Sequence, residues 1–176
     1  LSIPISYSVG AKIPFGEMGQ FSDSSEYFVL EADEFDRNFL SFSPFRAIIS
    51  GLDYDHPDIY PSREQYNAAF RQFLDQSQSA VMWQNDAQQL GLASTEKLRV
   101  IDEVDDMRFK LMGRVNREDA AIVVEAVAGL FSEEDVDKFV AIMNLFPGLS
   151  RRFEKIVENL YSDYAHTPEK IRGALQ

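Results

Sequence analysis

Residues 27–36 read YFVLEADEFD, an apolar strand signal followed at once by a dense run of carboxylates. Aromatic and aliphatic side chains at 27–30 are typical of a short buried strand. In a parallel α/β sheet, ligands gather beyond the carboxyl ends of strands, and Glu31 stands at that end. The stretch therefore predicts a polar site at the end of an apolar strand.

A second acidic stretch, residues 53–56 (DYDH), follows the next strand signal at 46–50 and carries one of the two histidines of the chain. Magnesium usually takes one or two carboxylates, with waters and substrate phosphates completing its shell. Glu31 with a neutral His56 would therefore be a sufficient set of protein ligands. The same residues also fit a solvated acidic loop with a surface histidine.

Helical signals alternate with the strand signals. Ser62 is a plausible N-cap for a helix over 62–75 with Tyr66, Phe70 and Phe73 on one face, and apolar residues repeat at the same period over 117–131. Another helix is predicted from Ser132 to about residue 144, with an acidic first turn. Strands alternating with helices predict an α/β fold, a largely parallel sheet flanked by helices. The strand predictions are 27–31, 46–50, 80–83, 98–101 and 107–112.

A break at residues 146–148 (FPG) ends this pattern, because proline and glycine stop a helix. Beyond it, residues 153–161 read as one or two strands, and Thr167 with Pro168 reads as the start of a helix. We therefore expect two units, a main domain over 1–146 and the opening of a second domain over 147–176.

Composition narrows the class of protein. The chain has 176 residues, of which 45% are hydrophobic, enough for one substantial core. Its net charge of −12 argues against sequence-independent binding to nucleic acid or to an anionic membrane surface. There is no cysteine, which excludes thiolate chemistry and fits a reducing compartment, so we expect a cytoplasmic protein. The sequence gives no indication of its oligomeric state.

Two further candidates follow the break. Arg151 and Arg152 are adjacent guanidinium groups that could bind phosphate oxygens, although surface arginines are common. The segment 163–166 (DYAH) carries the second histidine, and a lone histidine is more often structural than catalytic. The Gly-x-x-x-x-Gly-Lys-[Ser/Thr] phosphate loop is absent from the sequence.

Taken in order, these motifs resemble the Mur ligases, the ATP-dependent amino-acid ligases of peptidoglycan precursor synthesis. Five stretches carry the resemblance, and their shared order is more specific than any one of them. They are residues 31–40 (EADEFDRNFL), 49–60 (ISGLDYDHPDIY), 113–116 (GRVN), 146–153 (FPGLSRRF) and 163–168 (DYAHTP).

The resemblance implies a role for each candidate residue. Glu31 and His56 would hold magnesium, Asn116 would bind the adenine edge, and Arg152 would contact phosphate across the domain junction. Asp163 would bind the ribose hydroxyls, and Tyr164 with His166 would bind the incoming amino acid. Glu31, His56 and Arg152 are thus the implied catalytic residues, and ATP and Mg²⁺ the implied cofactors.

The resemblance also implies which parts of such an enzyme these residues form. Residues 1–146 correspond to most of a central ATP-binding domain, and 147–176 to the start of a C-terminal domain that binds the amino acid. The phosphate loop would lie upstream of residue 1, so this chain alone is not expected to turn over ATP. The branch it resembles most joins L-alanine to UDP-N-acetylmuramate, and Phe70 suits that branch.

Several positions depart from the family pattern, and two alternatives stay open. The family has asparagine at the positions of Gly51 and Asp119, and histidine at those of Val115 and Thr167. These differences bear on nucleotide affinity. The stretch 84–113 is also shorter than the corresponding segment of the family. The sequence of residues 52–60 also resembles that of the ligase that reattaches recycled tripeptide to UDP-N-acetylmuramate. A non-catalytic relative that keeps the fold as a regulatory or scaffold domain is the alternative from another class.

Overall fold

The computed structural model describes residues 3–11, 13, 16–104 and 106–175. Within these residues four strands come first, α-helices and strands then alternate as far as the third α-helix, and a fourth α-helix, a hairpin and one further helix follow. In chain order they are β1 (Ile5–Ser8), β2 (Gly19–Gln20), β3 (Tyr27–Leu30), β4 (Arg46–Ile49), α1 (Arg63–Gln76), β5 (Ser79–Trp83), α2 (Gln84–Leu90), β6 (Leu98–Ile101), α3 (Arg114–Val127), α4 (Glu133–Met143), β7 (Glu154–Val157), β8 (Leu160–Ser162) and α5 (Pro168–Ala174).

Strands β4, β5 and β6 form a parallel sheet in that order, with Ala47 opposite Ala80 and Ala80 opposite Leu98. Because parallel neighbours need a crossover connection, α1 and α2 lie between these strands in the chain. Helices cover both faces of this sheet. The predicted α/β fold with a parallel sheet flanked by helices is confirmed.

The two faces of this sheet bury alternate residues, as the two-residue period of a strand requires. On one face, Ala80 and Met82 of β5 belong to a cluster with Phe70 and Phe73 of α1. On the other face, Val81 packs with Ile101 of β6 and with Ile122 and Ala126 of α3. Met82 has no exposed surface, which places the centre of the core at β5.

Strand β3 belongs to a separate sheet of order β2-β1-β3, in which β1 runs parallel to β3 and antiparallel to β2. The sequence did not predict β1 or β2, because serines interrupt the apolar residues of β1 (ISYS) and β2 has only two residues. Phe28 and Val29 of β3 are 59% and 52% exposed. The first strong strand signal is therefore a strand with a solvent-facing surface in the described part of the chain.

Three predicted helix starts are confirmed with their caps. The Ser62 hydroxyl accepts the N–H of Gln65 at 3.3 Å, and the Ser132 hydroxyl accepts the N–H of Asp135 at 3.2 Å. The Thr167 hydroxyl accepts the N–H of Lys170 at 3.3 Å, with Pro168 at the first helical position. Each cap satisfies one backbone donor that the first turn of a helix leaves free.

The predicted strand over 107–112 is wrong. A short 3-10 helix, Asp106–Arg108, begins the segment, and its backbone is held by the Asn144 side chain. The amide of Asn144 donates to the carbonyl of Arg108 at 3.0 Å and accepts the N–H of Lys110 at 2.6 Å. Of the segment's apolar residues, Phe109 and Leu111 instead pack in a cluster with α3 and α4, in which Phe109 is buried.

Two helix boundaries also differ from the predictions. Helix α3 begins at Arg114 rather than 117 and ends at Val127, because Gly113 and Gly129 adopt positive φ angles of 82° and 81° on either side of it. Helix α2 carries too few apolar residues to have been predicted. No helix within the described residues combines the length and apolarity needed to cross a bilayer.

Candidate functional site

A cavity of about 700 Å³ opens where the carboxyl ends of β3 and β4 meet the first turn of α3 and helix α5. Four of the seven predicted site residues line it, although they lie up to 132 positions apart in the chain (163 − 31). They are Glu31, Asn116, Arg152 and Asp163. His56, Tyr164 and His166 are not among the lining residues. The structure therefore brings the candidate phosphate-binding residue, one candidate metal ligand and two further polar side chains to the same cavity.

Glu31 follows β3 directly, and two backbone groups fix it. Its N–H donates to the carbonyl of Ser8 at 2.9 Å, which continues the pairing of β1 with β3. Its carboxylate accepts the N–H of Gly10 at 2.7 Å. The side chain is thus aimed from the strand end toward the cavity with one oxygen already bonded.

His56 lies in the loop between β4 and α1, beside Glu34 rather than Glu31. Its Nε2 is 3.6 Å from Oε1 of Glu34, and its ring meets the Phe35 ring edge-on at 5.2 Å between centroids. His56 has a positive φ of 56°, an uncommon conformation for a residue with a side chain. The surrounding contacts must therefore hold this turn in place.

Tyr60 ties the acidic run to the His56 loop. It is fully buried, and its hydroxyl donates to the carbonyl of Glu34 at 2.7 Å. Tyr54 in turn donates to the carbonyl of Tyr60 at 2.7 Å, and the N–H of Tyr60 donates to the carbonyl of His56 at 2.9 Å. These hydrogen bonds join the acidic run and the His56 loop, about twenty residues apart in the chain, into one rim of the cavity.

The junction residues form a second rim. Arg151 and Arg152 both face the ring of Tyr164, with guanidinium carbons 4.9 Å and 5.9 Å from its centroid. Of the two, only Arg152 lines the cavity. Nδ1 of His166 lies 3.0 Å from the carbonyl of Tyr164, and its ring meets the Tyr164 ring at 5.2 Å. Tyr164 and His166 thus sit together just outside the cavity.

Asn116 and Asp163 are held by local hydrogen bonds. The amide of Asn116 donates to the carbonyl of Met112 at 2.7 Å, one turn before it. The carboxylate of Asp163 accepts the N–H groups of Phe153 and Ala165, both at 2.7 Å. Asp163 therefore joins the junction to the segment that leads into α5.

Four lining or adjoining residues were not predicted as site residues: Asp55, Asp86, Asp119 and Lys170. Burial raises the pKa of Asp86 to about 6, with Asp53 adding to the effect and a hydrogen bond from the backbone of Leu52 opposing it. Burial also raises the pKa of Asp119 to about 6, helped by Glu118. No sequence signal marked Asp86, and Asp119 was noted only as a departure from the family pattern, because only the folded chain shows which carboxyl groups lose contact with water.

Asp55 has the opposite shift. A hydrogen bond from Lys170 is the largest influence lowering the pKa of Asp55, and the backbone of His56 contributes in the same direction. Lys170 Nζ lies 2.9 Å from Oδ2 of Asp55. Since the two residues are 115 positions apart, the contact could not be predicted from local spacing.

Carboxylates dominate the charge of the cavity. Six acidic residues line it against two cations, Arg152 and Lys170, the acids being Glu31, Glu34, Asp53, Asp86, Asp119 and Asp163. Among the described residues, no group of three or more His, Asp or Glu side chains is arranged to hold a metal ion. One or two carboxylates are nevertheless enough for Mg²⁺ when a bound ligand supplies further oxygens.

The fold and the cavity define an α/β domain that collects polar side chains beyond the carboxyl ends of its parallel strands. Its residues 16–110 match the Mur ligase middle domain. The chain belongs to the Mur ligase family, as the order of its motifs predicted.

Relatives agree with the branch that the motifs resemble. The chain is 29% identical to a UDP-N-acetylmuramate--L-alanine ligase of Phocaeicola vulgatus over 88% of its own residues and 41% of that protein. It is 31% identical to the protein of the same name from Clavibacter sepedonicus, over 87% of the chain and 39% of the relative. The chain thus spans about two fifths of the length of these curated relatives.

A solved structure shows the same fold. The crystal structure of UDP-N-acetylmuramate-alanine ligase from Thermotoga maritima aligns with a TM-score of 0.75 at 23% identity. The alignment covers 98% of this chain and 46% of that one. The shared fold therefore extends past the residues that match the middle-domain family.

Proposed function

We propose that the complete protein is an ATP- and Mg²⁺-dependent ligase that joins L-alanine to UDP-N-acetylmuramate in peptidoglycan precursor synthesis in the cytoplasm. In this proposal, residues 1–146 form most of the central ATP-binding domain and 147–176 open the C-terminal domain. The convergence of Glu31, Asn116, Arg152 and Asp163 on one cavity carries the proposal. Relatives named for this reaction support the choice of substrates.

The charge of the cavity fits a nucleotide that arrives with a cation. Six carboxylates against two cations would repel a bare polyphosphate. Carboxylate oxygens are hard ligands of the kind that Mg²⁺ prefers, and a bound Mg²⁺ reverses the local charge. Glu31 and His56 are the proposed metal ligands, and Glu34 beside His56 adds a second carboxylate at that rim.

The remaining residues divide the substrates between the two units. Arg152 presents a planar, permanently charged donor group suited to phosphate oxygens. Asn116 offers both a donor and an acceptor, which suits the edge of adenine, and Asp163 accepts hydrogen bonds as ribose hydroxyls require. Tyr164 and His166, next to Arg152, are placed for the incoming amino acid in this scheme.

ATP, when bound, would supply the phosphoryl group that converts the substrate carboxylate into an acyl phosphate, with ADP as the leaving group. The amine of alanine would then attack the acyl carbon, and inorganic phosphate would leave as the amide forms. The tasks of the protein are then positioning and charge compensation. Arg152 stabilises negative charge on the transferring phosphoryl oxygens from across the junction. Closure of residues 147–176 against the strand ends excludes water from the reactive carboxyl group.

Phosphate release by the complete protein tests this proposal. We expect release that requires both UDP-N-acetylmuramate and L-alanine, and its abolition in Glu31→Ala and in His56→Ala. Glu96→Ala is the matched control, because Glu96 is an exposed carboxylate before the amino end of β6, at the opposite edge of the sheet. Normal turnover in Glu31→Ala or His56→Ala would refute the metal assignment.

A second candidate function, that of a non-catalytic regulatory or scaffold domain, is favoured by three cavity residues. Gly51, Val115 and Asp119 line the cavity where the family pattern has polar amide or imidazole groups. A non-catalytic relative would show neither turnover nor Mg²⁺-dependent binding of ATP. Turnover that uses tripeptide in place of alanine would instead assign the chain to the recycling ligase.

A further inference from the structure

Asp55 uses its two carboxylate oxygens in opposite directions. Oδ1 accepts the backbone N–H of the next residue, His56, at 2.9 Å. Oδ2 accepts from Nζ of Lys170 at 2.9 Å and lies 3.7 Å from Nε2 of His166. The Asp55 side chain is only 17% exposed, so the ion pair with Lys170 is partly shielded from water. Asp55 thus connects the strand-end loop with the segment that contains α5.

Helix α5 forms one wall of the cavity through Lys170, Gly173 and Ala174. Its second attachment is a close approach to the first turn of α3. A Cβ added at Gly173 would come within 3.1 Å of Cγ2 of Val115. The helix is therefore held over the cavity by the Asp55–Lys170 ion pair and by the contact between Gly173 and Val115.

The Asp55–Lys170 ion pair is linked through Asp55 to His56, the proposed metal ligand. His56 holds a left-handed backbone conformation, which is unfavourable for a non-glycine residue and persists only where neighbouring contacts enforce it. Oδ1 of Asp55 is one such contact, since it bonds the N–H of His56 itself. If Lys170 withdraws, Oδ2 loses its cation and the carboxylate is free to turn.

We propose that Asp55 is a positioning residue that couples docking of α5 over the cavity to the orientation of His56. Lys170 is its partner in the second unit. Helix α5 then closes the cavity wall at the same time as the imidazole of His56 becomes oriented. The rim of the cavity is therefore completed only when the second unit is docked. The effect on turnover rests on the proposed ligase function, whereas the docking contact does not.

Hydrogen exchange of the complete protein without substrates tests the docking contact. In Lys170→Met and in Asp55→Asn, the amides of 170–175 should exchange about five- to thirtyfold faster, the range expected for loss of a partly buried pair. The double variant should exchange no faster than either single one, because both changes break the same contact. Lys155→Met removes the same charge from exposed strand β7 and should leave these amides unchanged.

Turnover of two Asp55 variants separates positioning from docking. Asp55→Asn keeps an oxygen for the N–H of His56 but loses the charge that holds Lys170, whereas Asp55→Ala loses both. We expect equal exchange of the α5 amides in the two variants, and a kcat at least about tenfold lower in Asp55→Ala than in Asp55→Asn. Lys170→Arg keeps the positive charge and should therefore retain both the amide exchange rates of α5 and the turnover of the wild type.

Two results would overturn the inference. Additive effects of Asp55→Asn and Lys170→Met on exchange would mean that the residues do not act through one contact. Equal kcat values in Asp55→Asn and Asp55→Ala would mean that Asp55 does not position His56. Coupled exchange in a complete protein that has no ligase turnover would refute the proposed function and would support the docking contact.

Discussion

The sheet β4-β5-β6 and the segment 147–175 are stabilised in different ways, although both contribute to the cavity. In the first, taken together with the helices and loops that pack on the sheet, Tyr60 and Met82 have no exposed surface, and Ile122 of α3 is 1% exposed. In the second, no described residue belongs to the buried core, and the hairpin exposes Ile156 and Leu160 by about half. One region can hold its shape by apolar burial, and the other depends on polar contacts with it.

That difference has a consequence for the site. The rim that Tyr60 builds with Glu34 is fixed by the packed region, because Tyr60 belongs to its core cluster, whereas Arg152 and Asp163 arrive with the weakly packed one. The two halves of the cavity are therefore expected to differ in stability, since local opening begins where few apolar contacts are buried. We therefore expect docking of residues 147–175 to complete the site.

A pair of substitutions of apolar residues by alanine, one in each region, should give the largest contrast. Met82→Ala should lower the free energy of unfolding by about 2–5 kcal/mol, because it leaves a cavity beneath α1 at the centre of β5. Ile156→Ala in β7 should change it by less than about 1 kcal/mol, since that side chain is 52% exposed. Urea unfolding of both variants measures the two effects. Equal losses would contradict the contrast between the regions.

Removal of the Asp119 carboxyl should have the next largest effect, and it should depend on pH. Burial raises the pKa of Asp119 from 3.8 to about 6, so the folded state binds the proton more tightly than the unfolded state. The unfolding free energy therefore falls as pH rises from about 4 to 6. Asp119→Asn should be more stable than the wild type at pH 7, by at most about 3 kcal/mol, and nearly equal to it at pH 4.

Urea unfolding at the two pH values checks this expectation. Asp23→Asn serves as the control, because Asp23 is an exposed carboxylate in the loop before β3. A gain in Asp119→Asn that is the same at pH 4 and pH 7 would show that burial of the charge is not its cause.

Sequence reasoning succeeded where the signal was local. The caps at Ser62, Ser132 and Thr167 depend on a hydroxyl within three residues of the amide it binds. The strand ends that position Glu31 and His56 follow from apolar runs and parallel connections. Those features need only the chain near them.

It failed where distant segments decide the structure. Residues 107–112 alternate like a strand, but the side chain of Asn144 holds their backbone and the helices α3 and α4 take up Phe109. The pairing of Lys170 with Asp55 depends on where α5 docks, which no short pattern encodes. The raised pKa values of Asp86 and Asp119 likewise depend on burial by remote elements.

A matched pair of cap substitutions should give the smallest effect and the finest test of the contrast. Ser62 and Thr167 bond their first-turn amides at the same distance, 3.3 Å. Ser62→Ala should lower the global unfolding free energy by about 1 kcal/mol, because α1 belongs to the packed region. Thr167→Ala should leave global stability nearly unchanged and speed amide exchange within α5 by about fivefold.

Urea unfolding and hydrogen exchange of the two variants measure these effects. Unchanged exchange within α5 in Thr167→Ala, or a global loss equal to that of Ser62→Ala, would place α5 within the same cooperative unit as α1.

Calorimetric titration of the complete protein with ATP tests most directly whether the two regions form one nucleotide site. We predict binding in the presence of Mg²⁺, its loss when the metal is chelated, and affinity at least about tenfold weaker in Arg152→Ala. Arg151→Ala is the matched control, because Arg151 faces the same Tyr164 ring without lining the cavity. No binding of ATP with Mg²⁺, or equal losses in the two arginine variants, would contradict the proposed site.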